Sequence, residues 1–219
     1  EIKAEVTALN LTGTTSEKVK KIYQYMQNKT RYVNVSIGIG GWQPMPPEEV
    51  RKKGYGDCKG LTNYMKTLLD AAGIKSYYSV ITSDETPQSF DPDFPKMGGN
   101  HVILMIPTEK DPIWLENTSQ QIAFNHLSFN TTDRNVLAVK ENGIEIINTP
   151  IYKPEENQEI IKTKVILNED GSINLNSDFY YSKAQYDFNM YIIGLSKEDV
   201  KDAVKNRYDH LKIENLEVN

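Results

Sequence analysis

The sequence predicts an α+β fold: a cysteine-bearing helix and antiparallel strand pairs, followed by a small β-rich segment with one helix. Three observations carry this. Leu61, Met65, Leu68, Leu69 and Ala72 recur at helical spacing just after Cys58, the sole cysteine of 219 residues. An unbroken apolar run, Val102-Ile103-Leu104-Met105-Ile106, is joined by the turn Lys110-Asp111-Pro112 to Ile113-Trp114-Leu115-Glu116. Two strands so closely linked pair antiparallel, and an unbroken apolar run suits a strand buried on both faces. Lastly, two long alternating stretches, Glu159 to Leu167 and Ile173 to Tyr181, flank Asn168-Glu169-Asp170-Gly171-Ser172 and predict a hairpin.

Taken in order, Glu1 to Thr15 reads as a lead-in. Ser16 is a good N-cap for a helix to about Lys29, with Val19, Ile22, Tyr23 and Met26 as its apolar stripe. Arg31 to Val35 is strand-like, and Gly38 to Pro44 is a turn-rich loop. Pro46-Pro47-Glu48-Glu49-Val50 starts a short helix that Gly54 ends. The Cys58 helix follows and stops at Gly73. Ser76 to Thr82 is a predicted strand. Ser83 to Asn100 is polar and rich in proline and glycine, a length of connection often used as a binding loop or lid. His101 opens the apolar strand. Asn135 to Val139 and Gly143 to Ile147 form a second predicted hairpin around Glu141-Asn142-Gly143. Thr149 to Asn157 reads as a linker, so the expected division is residues 1–149 and 150–219. In the second part Ser196 caps a helix carrying Val200, Ala203, Val204, Tyr208 and Leu211, and Ile213 to Val218 begins a strand. The start at Glu1 and the end at Asn219 inside a patterned segment are expected of a piece of a longer chain.

Composition narrows the function. An apolar fraction of 38% fills a core, and 25% charged residues with a net charge of −5 exclude global disorder. Lysines and arginines are scattered, so there is no electrostatic footprint for nucleic acid. No run is long and apolar enough for a membrane span. One cysteine forms no internal disulfide. There is no Cys/His metal cluster, no acidic calcium loop, no phosphate loop and no serine-nucleophile motif, so neither metal nor cofactor is expected.

The chemistry converges on three residues. Cys58 is placed at a helix start, where unpaired N–H groups and the helix dipole favour a thiolate. His101 begins one strand of the predicted antiparallel pair and Glu116 ends the other, which makes them neighbours. Glu116 can then fix the imidazole tautomer while His101 takes the thiol proton. For the oxyanion of an acyl-transfer step, the Cys58 backbone N–H is available, with the Gln43 amide as the candidate second donor. Trp42 and Asn100 are candidate cleft residues. Asp57 suits an N-cap and Lys59 a solvated helix position. His126, in a polar loop, is placed at most on the cleft rim. The competing reading is an inert core thiol, the usual fate of a lone cysteine.

The runs Arg31-Tyr32-Val33, Gly38-Ile39-Gly40-Gly41-Trp42-Gln43-Pro44 and Tyr55-Gly56-Asp57-Cys58-Lys59 resemble the bacterial transglutaminase-like superfamily, most of all its branch in large multidomain Bacteroidetes proteins. Gly99-Asn100-His101-Val102 and Trp114-Leu115-Glu116-Asn117-Thr118 are similar to the family's second and third motifs, and the resemblance covers roughly Ser16 to Thr149. It implies a papain-like core, a Cys-bearing helix packed on an antiparallel sheet, with Cys58 as nucleophile and His101 as base. Glu116 stands where the family more usually has aspartate. It implies transamidation or amide hydrolysis on a peptide or protein amide, flanking domains in the same chain, and a periplasmic or cell-envelope location. It also implies the alternative of an inactive scaffold or binding module, since some members have lost activity. Residues from Thr149 onward are, on the same resemblance, the start of a C-terminal β-domain.

Overall fold

Ile2 and Val6 lie one helical turn apart and both are buried; they make a helix, α1 (Ile2–Ala8), where the sequence suggests only a lead-in. The computed structural model describes residues 1–86, 89–94 and 98–217. Helix α2 (Thr15–Lys29) begins on Thr14 and not on the expected Ser16. Thr14 Oγ1 accepts from Glu17 N at 3.3 Å, and Glu17 Oε2 accepts from Thr14 N at 2.7 Å. This reciprocal capping box satisfies two amides that a lone Ser16 cap would leave open. The predicted stripe of Val19, Ile22, Tyr23 and Met26 is buried.

Strand β1 (Arg31–Tyr32) is shorter than expected and pairs in parallel with β2 (Tyr55–Gly56). Between them run a 3₁₀ turn, Gly38–Gly41, and helix α3 (Pro47–Lys53), which ends on Gly54 at φ 68°, a left-handed cap. Helix α4 (Cys58–Ala71) buries Leu61, Met65, Leu68 and Leu69, the positions its period picks out.

The main sheet holds β3 (Tyr77–Ile81), β4 (His101–Ile106), β5 (Ile113–Leu115), β6 (Asn135–Lys140) and β7 (Gly143–Asn148). Its order is β5-β4-β3-β6-β7, and every neighbouring pair is antiparallel. The unbroken apolar run of β4 is explained by its two faces. Leu104 and Ile106 pack with the helices, whereas Ile103 and Met105 pack with Ile81, Trp114, Leu127 and Val136 on the other side. Parts of the Ser83 to Asn100 connection, at residues 87, 88 and 95–97, lie outside the described residues.

The chain forms two compact units, Glu1–Lys153 and Pro154–Asn219. In the second, β8 (Glu159–Leu167) and β9 (Ile173–Tyr181) pair along their whole length, Glu159 opposite Tyr181 through Leu167 opposite Ile173. Helices α5 (Ala184–Asn189), which no sequence signal suggested, and α6 (Lys197–Arg207) follow. Ser196 caps α6 by accepting from Asp199 N at 3.1 Å. Residues 213–217 are not a strand, and Val218 of that expected strand lies outside the described residues. No helix among the described residues is long and apolar enough to cross a membrane.

Candidate active site

The site is built on the first turn of α4. Asp57 is its N-cap: the buried carboxylate accepts from Gly60 N at 2.9 Å and ion-pairs with Lys59. Lys59 is therefore a partly buried partner of the cap and not the solvated residue expected. Cys58 is the first helical residue and is half-buried. Gly60 lets the turn press on its neighbour, since a Cβ there would lie 3.2 Å from Met45 Cβ.

His101 and Glu116 come together through the β4–β5 ladder. Leu104 pairs with Leu115, so one further step sets Glu116 opposite Ile103. His101 lies two residues before Ile103 on the same face, a diagonal spacing that a long side chain spans. His101 Nε2 lies 2.7 Å from Glu116 Oε2. The other carboxylate oxygen of Glu116 accepts from Thr118 Oγ1 at 2.8 Å and from Thr118 N at 3.2 Å. The Cys58 side chain is near enough to the imidazole to favour its protonated form, while Nε2 faces Glu116.

Burial opposes charge on His101, but the Glu116 carboxylate and the hydrogen bonds to Cys58 and Glu116 outweigh it and push the ring up to about 10. Burial likewise opposes charge on Glu116, and the imidazolium with the two Thr118 donors holds it below the usual carboxylate value.

A buried polar staple fixes this arrangement. Thr62, one turn along α4 from Cys58, donates to Val102 O of β4 at 3.2 Å and accepts from Asn117 Nδ2 at 3.0 Å. Tyr23 OH donates to Glu116 O at 2.5 Å, and Gln27 Nε2 donates to Ser119 O at 3.0 Å and Ile122 O at 2.9 Å. Sequence spacing revealed none of these, because partners such as Tyr23 and Glu116 are 93 positions apart. Tyr32 and Tyr78 also belong to the site. Burial first, then the charges of Cys58 and Asp57, raise both phenols above their ordinary value.

The remaining sequence candidates are placed differently. Gln43 is exposed and lines a cleft with Asp57. Trp42 is 77% exposed and is not among the residues lining that cleft. Asn100 uses its amide on Ser83, accepting from N at 2.7 Å and donating to O at 3.0 Å, which extends the β3–β4 pairing past its last ladder position. His126 is buried and stacks on Tyr152, with ring centroids 5.9 Å apart.

A helix-borne thiol, a strand-borne imidazole and a carboxylate behind it define an α+β domain of the papain-like architecture. The family model of the transglutaminase-like superfamily matches residues 1–116, more than half of the chain, which belongs to that superfamily. The crystal structure of a "putative protease" from Parabacteroides distasonis superposes with a TM-score of 0.50 at 16% sequence identity, a likeness of fold. It covers 78% of this chain and 34% of that one, so the chain spans about a third of that protein's length. Comparison with curated proteins finds no match.

Proposed function

We propose that the chain carries a cysteine-dependent acyl-transfer centre for peptide or protein amides, with Cys58 as nucleophile, His101 as proton carrier and Glu116 as its orienting carboxylate. The observation that carries this reading is the 2.7 Å contact of His101 Nε2 with Glu116 Oε2, in a site where Cys58 begins α4 and favours the protonated ring. His101 takes the thiol proton and rests as an imidazolium beside the thiolate. The sulfur attacks the amide carbon, and the carbonyl electrons move to oxygen, where the Cys58 N–H and the Gln43 amide are the proposed donors. The oxyanion collapses, the C–N bond breaks, and His101 gives its proton to the departing amine. The thioester is then resolved by water, completing hydrolysis, or by a second amine, completing transamidation; His101 accepts the proton of either.

The test is alkylation of Cys58 by iodoacetamide as a function of pH, followed by intact mass with Cys58→Ala as blank. A thiolate held by an imidazolium should react at pH 6.5 within about threefold of its rate at pH 8.5. A free thiol with the ordinary value of about 8.5 would slow roughly fiftyfold over that range. That second profile would favour the inactive scaffold.

A further inference from the structure

Thr62 uses its hydroxyl where a helical threonine normally does not. A threonine inside a helix often bonds back to the carbonyl four residues before it. Thr7 does so to Lys3 O at 2.9 Å, and Thr67, in α4 itself, to Asn63 O at 2.8 Å. For Thr62 that carbonyl belongs to Cys58. Its hydroxyl leaves the helix instead and donates to Val102 O of β4 at 3.2 Å. The same oxygen accepts from Asn117 Nδ2 at 3.0 Å.

The two partners are not arbitrary points on the sheet. Val102 is the residue after His101, and Asn117 is the residue after Glu116. One hydroxyl, a single helical turn from Cys58, therefore bonds the chain beside the proposed base and the side chain beside its carboxylate. Asn117 is committed to this bond. It is 2% exposed, its Nδ2 donates to Thr62 Oγ1 and to Leu115 O at 3.3 Å, and its Oδ1 has no partner among the described residues. A buried acceptor left unpaired lowers stability, so the amide is held in place by its donors alone. Nor is the hydroxyl needed to fasten helix to sheet. Leu61, Met65, Leu68 and Leu69 already share one apolar cluster with Leu104, Ile106 and Leu115.

We infer that Thr62 is a positioning residue of the centre: its hydroxyl sets Cys58, His101 and Glu116 in register with one another. This role rests on the acyl-transfer reading and adds the group that couples the helix of the nucleophile to the segments of the base and the carboxylate. Thr62 touches neither substrate nor the reacting atoms and acts through Val102 and Asn117. Its hydroxyl gives one O–H and receives one N–H, so serine at this position keeps the chemistry and valine keeps only the shape. A displacement of about 1 Å in such a site is enough to cost on the order of 10²-fold in rate.

The experiment follows the His101 ring by NMR titration of the full chain, its signals assigned by their loss in His101→Gln. The ring of the parent protein is raised to about 10. Thr62→Val should lower that midpoint by about one pH unit or more, the effect of moving an opposite charge out of place. Thr62→Ser should keep the midpoint of the parent. If Thr62→Val does not fold, Asn117→Ala, which removes the arm toward Glu116, takes its place with the same expected shift. A Thr62→Val protein that melts earlier but titrates like the parent has lost only a structural bond and overturns the positioning role. A Thr62→Ser protein that shifts as far as Thr62→Val overturns it too. Iodoacetamide labelling of the parent at pH 6.5 separates this role from the acyl-transfer reading. Fast labelling with an unmoved Thr62→Val midpoint leaves the activated thiol and removes the role of Thr62. Slow labelling with a lowered midpoint removes the activated thiol and keeps Thr62 as the group that positions His101 against Glu116. Slow labelling with an unmoved midpoint overturns both.

Discussion

Glu116 shows what one methylene does at a site. Where the family more usually carries aspartate, the longer side chain reaches diagonally across the β4–β5 ladder and meets His101 at 2.7 Å while both Thr118 donors hold its other oxygen. Its charge, not its shape, keeps the imidazole protonated, so Glu116→Gln isolates the electrostatic part. The sign can be worked out. His101 is raised from 6.5 to about 10 on folding, so its contribution to stability is complete below pH 6.5 and is lost as pH rises to about 10. Glu116 is lowered, so its own contribution is present above the usual carboxylate value and fades in acid. Glu116→Gln should therefore flatten the loss of stability between pH 6.5 and 10, measured by urea denaturation at several pH values. In the same variant, alkylation of Cys58 at pH 6.5 should slow about tenfold or more, because the thiolate proposed above would lose its cationic partner. An unchanged pH slope would show that Glu116 does not set the charge of His101.

At the level of elements, the connection into β4 is held by backbone geometry. Gly99 has φ +95°, and a Cβ there would lie 2.5 Å from Val80 Cγ1 and 3.2 Å from Ile81 O. Next to it, Asn100 N donates to Ile81 O at 3.1 Å and leads directly into His101. Gly99→Ala should cost about 1–3 kcal/mol in a thermal melt and also slow Cys58 alkylation, since the strain is relieved by moving the strand that carries the base. Thr14→Ala is the contrast: it removes the α2 capping box, costs about 1 kcal/mol, and leaves the alkylation rate unchanged. The two sites also mark how far a sequence can be read. Cys58, His101 and Glu116 were visible because each stands at the boundary of a strongly patterned element. The α2 cap is ambiguous in sequence because Ser16 and Thr14 both have the right chemistry, and only the reciprocal Glu17, three residues after Thr14, distinguishes them. Helix α1 has no sequence signal, because Ile2 and Val6 are too few for a period. The staple of Thr62, Asn117 and Tyr23 was invisible, because its meaning comes entirely from tertiary pairing.

Across the whole molecule, burial is distributed unevenly. Both apolar clusters and every residue of the candidate site lie within Glu1–Lys153. In Pro154–Asn219 no described residue is fully buried. There the β8–β9 hairpin sets Ile161 beside Phe179, Val165 beside Leu175 and Leu167 beside Ile173 on one face, and these side chains are exposed. Arg207 ties α6 to the hairpin through Glu159 Oε1 at 3.0 Å, an exposed pair of the kind worth little in water. A two-stranded hairpin with an exposed apolar face is marginal by itself, whereas a sheet covered by helices is a cooperative unit. Residues 1–153 produced alone should therefore unfold in one cooperative transition and alkylate at Cys58 with the pH profile of the full chain. Residues 154–219 alone should melt broadly and exchange their β8–β9 amides quickly. A fragment 1–153 that is disordered by circular dichroism would mean that the second unit contributes to the fold of the first. A fragment that folds but loses the flat alkylation profile would mean instead that the second unit tunes the thiol, because the core elements carrying Cys58, His101 and Glu116 would then be intact without their reactivity.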